Sequence, residues 1–176
     1  STGPSSARLR RPRRPVTWHV RAPSVDAQQI ELLGRTRLMS ELLEADLEVA
    51  VPARDRGVDL IAYADLGSRV KNFVAVPIQM KAFSTSGFGI NKKYEKVSNL
   101  LLAYVWGVRE PAHSVTYVMT YPEAVQVADA LGWTATESWR KGAYVTTQPS
   151  RRVLDLLEAF RATRSVWWKR RSCRRC

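Results

Sequence analysis

The chain has 176 residues, 45% hydrophobic and 25% charged, which is enough for one compact domain with a hydrophobic core and too little for two large ones. The 28 basic residues outnumber the 16 acidic ones and give a net charge of +12, which excludes an acidic or neutral chain and favours a polyanionic partner, nucleic acid or anionic lipid. The excess lies at the two ends: residues 1–21 and 161–176 hold 13 basic residues and no acidic one, whereas residues 22–160 are close to neutral.

Composition divides the chain into three regions. Residues 1–23 form a basic arm that we predict to be disordered, residues 24–162 an α/β domain, and residues 163–176 a basic tail that we also expect to be poorly ordered. No stretch reaches the roughly 18 apolar residues that span a bilayer, so we expect a soluble protein without a membrane partner. The only cysteines, Cys173 and Cys176, lie in the tail, which favours a reducing, cytoplasmic compartment. The arginine-rich start is also compatible with a transit peptide, and the tail tryptophans with a membrane interface.

The first predicted element is an amphipathic helix from Ala27 to Asp46, where apolar residues recur at helical spacing. Ser24 or Asp26 is its expected N-cap, and Gly34 is a weak point at which the helix could split in two. Three strands follow over residues 47–51, 57–63 and 73–83, with a turn at 65–71. Pro77 removes a hydrogen-bond donor from the third strand, which indicates an edge position or a bulge.

Helices and strands continue to alternate in the second half of the chain. After a loop over residues 84–89, the pattern predicts a short helix, two strands and two further helices over residues 91–99, 100–108, 114–120, 122–131 and 150–160. Pro122 at the first helical position and Gly132 after the end mark the first of these two helices. This order predicts an α/β fold in which helices cover a sheet.

Three polar residues interrupt the predicted strands. Asp59 breaks an apolar run, and buried acids are uncommon unless they bind something. Gln79 and Lys81 are two residues apart on one strand, so they share a face, while Ile78 and Met80 point to the other face. Each feature also has a structural interpretation: an acid at a strand start for Asp59, and an exposed antiparallel face for Gln79 and Lys81.

The order of these motifs resembles that of the PD-(D/E)xK nuclease superfamily, which includes many restriction enzymes and archaeal Holliday-junction resolvases. A helix and a strand precede Gly57-Val58-Asp59-Leu60-Ile61, and Ile78-Gln79-Met80-Lys81 follows on the third strand. Gln79-Met80-Lys81 is similar to the Gln-x-Lys variant of Mrr-like restriction nucleases, and the likeness covers residues 29–108. It implies a restriction-endonuclease-like mixed β-sheet flanked by helices. It also implies Mg²⁺, or Mn²⁺, held by Asp59 and Gln79 with the adjacent backbone carbonyl, and a catalytic Lys81 that assists the attacking water.

The superfamily also places an acid on the first helix. The matching positions here carry Arg35 and Thr36, which leaves Glu31 and Glu41 as candidate catalytic acids. Helical geometry puts Glu31 at the edge of the apolar face and Glu41 nearly opposite it, whereas the local pattern Ser40-Glu41-Leu42-Leu43 looks more like the superfamily. Either residue could instead be a solvated helix acid.

Basic and aromatic residues follow the predicted site. The loop at 84–89 and the lysines Lys92 and Lys93 could lay backbone amides and positive charge against a nucleic-acid backbone, or form a plain connecting loop. Further along, Trp133, Trp139 and Tyr144 could stack on unpaired bases or pack a late loop onto the core.

The sequence therefore predicts a Mg²⁺-dependent endonuclease acting on DNA, with RNA also compatible and a homodimer suited to two cuts. One alternative is a catalytically degenerate nuclease-fold protein that binds nucleic acid or a protein partner without cleavage, because Gln79 is neutral and the helix acid is displaced. Another is an interaction protein in which Asp59 and Lys81 form an ion pair. A metal site would not tolerate exchange of these two charges, whereas an ion pair would.

Overall fold

The computed structural model describes residues 26–54, 56–64, 67 and 73–172, without the side chains of residues 171 and 172. The predicted N-terminal arm, most of the turn at 65–71 and both cysteines lie outside this part. The described elements, in chain order, are α1 (Ala27–Glu44), β1 (Glu48–Ala50), β2 (Leu60–Tyr63), β3 (Ala75–Ala82), β4 (Phe88–Asn91), β5 (Leu101–Trp106), β6 (Val115–Thr120), α2 (Tyr121–Ala130), α3 (Glu137–Arg140), β7 (Ala143–Thr146), α4 (Arg151–Leu157) and α5 (Arg164–Ser172).

A mixed five-stranded sheet forms the centre of the domain, in the order β1-β2-β3-β5-β6. The β3–β5 pair is parallel, and the other neighbouring pairs are antiparallel. Strands β4 and β7 pair with each other in a second, two-stranded sheet. The predicted α/β class is confirmed.

The central strand β5 separates two hydrophobic clusters, and all six of its residues are buried. Leu101, Ala103 and Val105 pack in the cluster that contains α1 and α5 residues. The alternate residues Leu102, Tyr104 and Trp106 pack in the cluster that contains β4 and α2 residues. This period of two shows that helices cover both faces of the sheet, which explains why β5 is apolar throughout.

Helix α1 is continuous, so the predicted break at Gly34 is wrong. The Asp26 side chain caps its first turn by accepting from the Gln28 N–H at 2.9 Å. Gly34 faces the sheet, where an added Cβ would stand 2.5 Å from the Cβ of Ala82. The glycine is therefore needed for close helix–sheet packing, next to the end of β3 that carries the candidate site.

Pro77 does not mark an edge strand, because β3 lies between β2 and β5. Pro77 pairs with Ile61 of β2, while the pairing of β3 with β5 starts only at Ile78. At residue 77 the strand has one neighbour, so a missing N–H is tolerated within a central strand.

The expectation of a poorly ordered tail is wrong for residues 164–172, which form α5. Trp167 is 2% exposed and packs in the α1 cluster, so the core extends beyond the predicted boundary at residue 162. The Trp168 indole donates to the Ala45 carbonyl, and Arg170 bonds Glu123 at the start of α2. The high charge of this segment led to the expectation of a poorly ordered tail, whereas Trp167 and Trp168 hold the segment against the core.

Other predicted elements are confirmed with shifted bounds. The predicted helix at 91–99 is a shorter 3₁₀ turn over Lys92–Lys96, and the loop at 84–89 runs into β4. Within the part of the chain that the structure describes, no helix is long and apolar enough to cross a membrane.

Candidate active site

The three residues singled out on the predicted strands meet in the structure. Asp59 directly precedes β2, and Gln79 lies in β3 one residue beyond the last β2–β3 pair, Leu60 with Ile78. Both side chains are buried at 7% exposure. Together with Lys81 and Glu31 they line one open cavity of about 450 Å³, which also borders the first turn of α1 and the end of β3.

Asp59 completes the hydrogen bonding of β3 where its ladder with β2 ends. The Asp59 N–H donates to the Ile78 carbonyl at 2.8 Å. Its side-chain Oδ2 accepts from the Met80 N–H at 2.7 Å. A carboxylate oxygen therefore takes the place of a strand carbonyl, which fixes the position of the acid against rigid backbone.

Gln79 satisfies the other backbone group of Met80. Its Nε2 donates to the Met80 carbonyl at 3.1 Å and also to the Asp59 Oδ2. The NH₂ group, the positive end of the amide dipole, thus lies between a carboxylate oxygen and a carbonyl oxygen. These are the two kinds of oxygen that hard cations take as ligands.

The amide oxygen of Gln79 faces away from Asp59, toward Gly57. Gly57 has φ = 92°, in the left-handed region that favours glycine, and a Cβ there would lie 4.0 Å from the Gln79 Oε1. A half-turn of the Gln79 amide would exchange its oxygen and nitrogen. The Gln79 Oε1, the Asp59 Oδ2 and the Met80 carbonyl oxygen would then lie close together. These oxygens repel one another unless a cation lies among them.

Lys81 follows Gln79 along the face of β3 and lines the same cavity. It is partly exposed, and its Nζ lies 5.6 Å from the ring centroid of the buried Tyr94. A cation over an aromatic face is held by the ring quadrupole while keeping its charge available to a ligand. The predicted face sharing of Gln79 and Lys81 is thus confirmed, since Ile78 and Met80 pack in the α1 cluster.

Of the two candidate helix acids, Glu31 lies at this cavity and Glu41 does not. Glu31 is 56% exposed in its side chain and pairs with Arg35 at 2.8 Å. Glu41 accepts a hydrogen bond from Thr116 at 2.6 Å and borders cavities near β6 instead. The structure therefore brings Glu31, Asp59, Gln79 and Lys81 together.

The expectation that Glu41 points to solvent is wrong. The buried face of α1 is formed by Ile30, Gly34, Leu38 and Leu42, and small residues carry little weight in a hydrophobic pattern. Burial raises the pKa of Glu41 above its ordinary value of 4.5, Thr116 opposes the rise through its hydrogen bond, and the charge of Glu44 adds to it.

The two lysines predicted to contact nucleic acid belong to the 3₁₀ turn after β4. The Lys93 Nζ lies 4.9 Å from the Tyr94 ring centroid, so this ring contacts both Lys93 and the candidate catalytic Lys81. The Lys92 Nζ lies 5.0 Å from the ring centroid of Trp139. The sequence pattern Lys92-Lys93-Tyr94 had already indicated an aromatic ring beside the two lysines.

The other aromatics considered for base stacking belong to the core. Trp133 is buried, stacks on Tyr144 with centroids 4.2 Å apart, and packs against Phe88 at 5.5 Å. Packing of this loop onto the core, one of the two interpretations left open, is confirmed for Trp133 and Tyr144; Trp139 packs against the same cluster but stays partly exposed.

Among the described residues, no group of three or more histidine, cysteine, aspartate or glutamate side chains is arranged to hold a metal ion. The candidate ligands are instead one carboxylate, one backbone carbonyl and one amide. Comparison of the chain with protein-family profiles, with curated proteins and with solved structures finds no match.

Proposed function

We propose that the protein hydrolyses phosphodiester bonds of DNA at the cavity lined by Asp59, Gln79, Lys81 and Glu31, with Mg²⁺ or Mn²⁺ as cofactor. One observation carries the proposal: a buried carboxylate oxygen and a backbone carbonyl oxygen converge on the Gln79 amide, beside a lysine, at an open cavity. The restriction-endonuclease-like sequence order adds to it.

The residues present fit a hard divalent cation. The Asp59 carboxylate, the Met80 carbonyl and, after a half-turn of its amide, the Gln79 Oε1 would hold it. Mg²⁺ is usually bound by one or two carboxylates together with waters and substrate phosphate oxygens, so a single buried acid is compatible with it. When bound, the cation neutralises phosphate charge and lowers the pKa of a coordinated water.

Three protein side chains have separate roles in the proposed reaction. The Met80 N–H holds Asp59 in place, so the acid needs no reorganisation during the reaction. Lys81 carries a positive charge to the side of the cavity where a phosphoryl oxygen gains negative charge. The oxygen of water forms a bond to phosphorus and releases a proton to the solvent, the bond from phosphorus to the leaving sugar oxygen breaks, and that oxygen takes up a proton from the solvent. Glu31, at the cavity wall, can accept a hydrogen bond from the water.

The decisive experiment is cleavage of supercoiled plasmid and of branched DNA with Mg²⁺, with Mn²⁺ and with EDTA. Asp59→Ala and Lys81→Ala should each lose at least about a hundredfold in rate, the magnitude of one electrostatic contact in a transition state. Glu41→Gln is the matched control, since it removes a carboxylate of α1 outside the cavity and should cleave like the unaltered protein. Equal rates in all four proteins would contradict the proposal.

A second candidate function is DNA binding without cleavage. It is favoured by the same amide, because Gln79 already satisfies both the Asp59 Oδ2 and the Met80 carbonyl without a cation. Mn²⁺ binding, followed by electron paramagnetic resonance, separates the two functions. The enzyme should bind Mn²⁺ in an Asp59-dependent way, whereas the binder should show no such site and equal DNA affinity with Mg²⁺ and with EDTA.

The proposed partner is therefore DNA, and we infer a cytoplasmic setting from the scarcity of cysteine. Two cuts in a duplex need two sites, so a homodimer is the proposed active form. Light scattering during the cleavage assay measures the oligomeric state directly.

A further inference from the structure

A second and larger cavity, of about 730 Å³, lies near the candidate active site. It is formed by the 3₁₀ turn, the approach to β5, the start of α2 and one aromatic residue of α3. Its lining is Lys92, Glu95, Val97, Ser98, Asn99, Leu100, Thr120, Tyr121, Pro122, Val125 and Trp139. The volume falls within the roughly 300–1,000 Å³ of pockets that take small ligands or single chemical groups. We call it the α2 groove.

Alternating lysines and aromatic rings connect the two cavities. Lys81, at the candidate active site, and Lys93 contact the ring of Tyr94, at 5.6 and 4.9 Å from its centroid. The neighbouring Lys92 lies 5.0 Å from the centroid of Trp139, and both Lys92 and Trp139 line the α2 groove. Lysine side chains therefore lie at the candidate active site, on the 3₁₀ turn and in the lining of the groove.

The two segments that contribute Lys92 and Trp139 to the groove differ in charge from the rest of the domain. Residues 22–160 are close to neutral, yet the segments 92–96 and 137–141 together contain five basic residues and two acidic ones. The basic side chains are Lys92, Lys93, Lys96, Arg140 and Lys141. Local positive charge in a neutral domain indicates a polyanion at this place, since charge needed only for solubility would be spread over the surface.

The groove itself offers what a nucleobase needs. Trp139, which is partly exposed, supplies aromatic surface, while Tyr121 is buried at 9% exposure; Val97 and Val125 supply apolar walls for the base faces. The Glu95 carboxylate repels phosphate but accepts hydrogen bonds from the exocyclic amino groups of bases. Lys92 at one side thus suits a phosphate, and the interior suits bases.

We propose that the α2 groove binds unpaired bases of a DNA strand whose backbone follows the lysines toward the candidate active site. A base can stack on Trp139 only when its face is free, and in a duplex both faces are covered by neighbouring pairs. The substrate class is therefore DNA with a single-stranded segment beside the cleavage point, such as a branch, flap or gap. The cleavage part rests on the proposed function, whereas the strand-binding part does not.

Binding in EDTA tests the proposal without cleavage. Fluorescence anisotropy compares a labelled oligothymidylate with a blunt duplex of the same length, for the unaltered protein and for Trp139→Ala. Loss of one stacked base should weaken oligothymidylate binding about tenfold and leave duplex binding within about twofold. Trp139→Phe keeps an aromatic face and should restore most of the affinity.

Lys92→Ala tests the groove while keeping every aromatic side chain, and so keeps the proposal testable if Trp139→Ala fails to fold. The slope of log affinity against log salt should fall by about 0.7 for the oligothymidylate, the value for one lost single-strand phosphate contact. Arg151→Ala is the charge control, because Arg151 is highly exposed and lies on α4, outside the groove lining. It should leave both slopes unchanged.

The outcomes distinguish this inference from the proposed function. Trp139-dependent oligothymidylate binding without any cleavage supports the groove and overturns the nuclease. Cleavage that needs Asp59, combined with oligothymidylate affinities that Trp139→Ala and Lys92→Ala leave unchanged, overturns the groove and supports the nuclease. Equal loss of duplex and single-strand binding in Trp139→Ala also overturns the preference for unpaired bases.

Discussion

Gln79 donates its side-chain amide to the Asp59 carboxylate just beyond the point where strands β2 and β3 stop pairing. Together the two side chains satisfy the N–H and the C=O of Met80, which a longer β2 would otherwise have paired. The same contacts serve the fold and place two oxygens around a polar NH₂ group. Variants at these positions therefore need a cation-dependent readout, because loss of activity alone would not separate the two roles.

Gln79→Glu is expected to make stability depend on divalent cations. Without a cation the new carboxylate faces the Asp59 Oδ2 and the Met80 carbonyl with no donor, which should cost about 1–3 kcal/mol. Mg²⁺ or Mn²⁺ should restore the loss by binding between the oxygens. Thermal unfolding across a cation titration measures the effect.

Gln79→Met is the matched control for that titration. It also removes the donor, but it adds no charge, so its melting temperature should fall without recovering when the cation is added. Identical cation responses in Gln79→Glu and Gln79→Met would show that the oxygens do not form a cation site.

Exchange of charge between Asp59 and Lys81 is expected to fail. Lysine has donors only, so in the double variant Asp59→Lys/Lys81→Asp the Met80 N–H loses its acceptor inside the protein, at a cost of about 1–3 kcal/mol. A simple Asp59–Lys81 ion pair would tolerate the exchange. Chemical denaturation of the double variant beside Lys81→Asp alone decides the question: recovery of stability in the double variant would support the ion pair.

Glu41→Gln is expected to stabilise the protein at neutral pH. Burial raises the folded-state pKa of Glu41, so the folded state holds a proton that the unfolded state has released, and stability falls as pH rises from about 4.5 through the folded-state pKa. Glutamine keeps an acceptor for Thr116 without the charge. At pH 7 the melting temperature should rise by roughly 2–4 °C, the shift for about 1 kcal/mol in a domain of this size.

Below the ordinary pKa of Glu41 the advantage of Glu41→Gln should disappear, because the acid is then protonated in both states. Glu48→Gln, which removes an exposed acid of β1, serves as the reference for the loss of a carboxylate. A gain that persists unchanged at low pH would contradict the assigned cause.

Gly34→Ala is expected to destabilise the domain although alanine favours helices by about 1 kcal/mol. The added methyl group would stand 2.5 Å from the Cβ of Ala82, and such overpacking typically costs about 1–3 kcal/mol. Ala82→Gly in the same chain should recover part of the loss. Thr36→Ala, at an exposed position of α1, controls for helix propensity in the same unfolding measurements; a stabilised Gly34→Ala variant would show that the helix can move away from β3.

Local patterns predicted which residues meet at the cavity better than they predicted its surroundings. Asp59, Gln79 and Lys81 stood out because polar residues in apolar runs are visible in the sequence, and strand periodicity then placed Gln79 and Lys81 on one face. The hydrogen bonds to Met80 were not predictable, because they depend on where β2 stops relative to β3. Glu41 was placed wrongly because the buried face of α1 includes Gly34, a residue that hydrophobicity does not reveal.

Pairing between strands that are far apart in sequence was the second feature that the sequence did not predict. Strands β4 and β7 are about fifty residues apart in sequence and contribute few residues each, so no local pattern marked Phe88–Asn91 as the partner of Ala143–Thr146. The prediction for the tail was wrong for a different reason. Its arginines are evident in the sequence and suggest an exposed segment, whereas the burial of Trp167 depends on contact with α1.

Helix α5 also determines when folding can finish during synthesis. The Trp168 indole bonds the Ala45 carbonyl across 123 residues, and Trp167 fills the cluster that α1 begins. While the ribosome is still making the middle of the chain, that side of α1 has no Trp167 to cover it, so we expect this cluster to be complete only after residue 168 has left the exit tunnel. A nascent chain halted before this point should expose apolar surface to chaperones, and release of a few more residues should remove it.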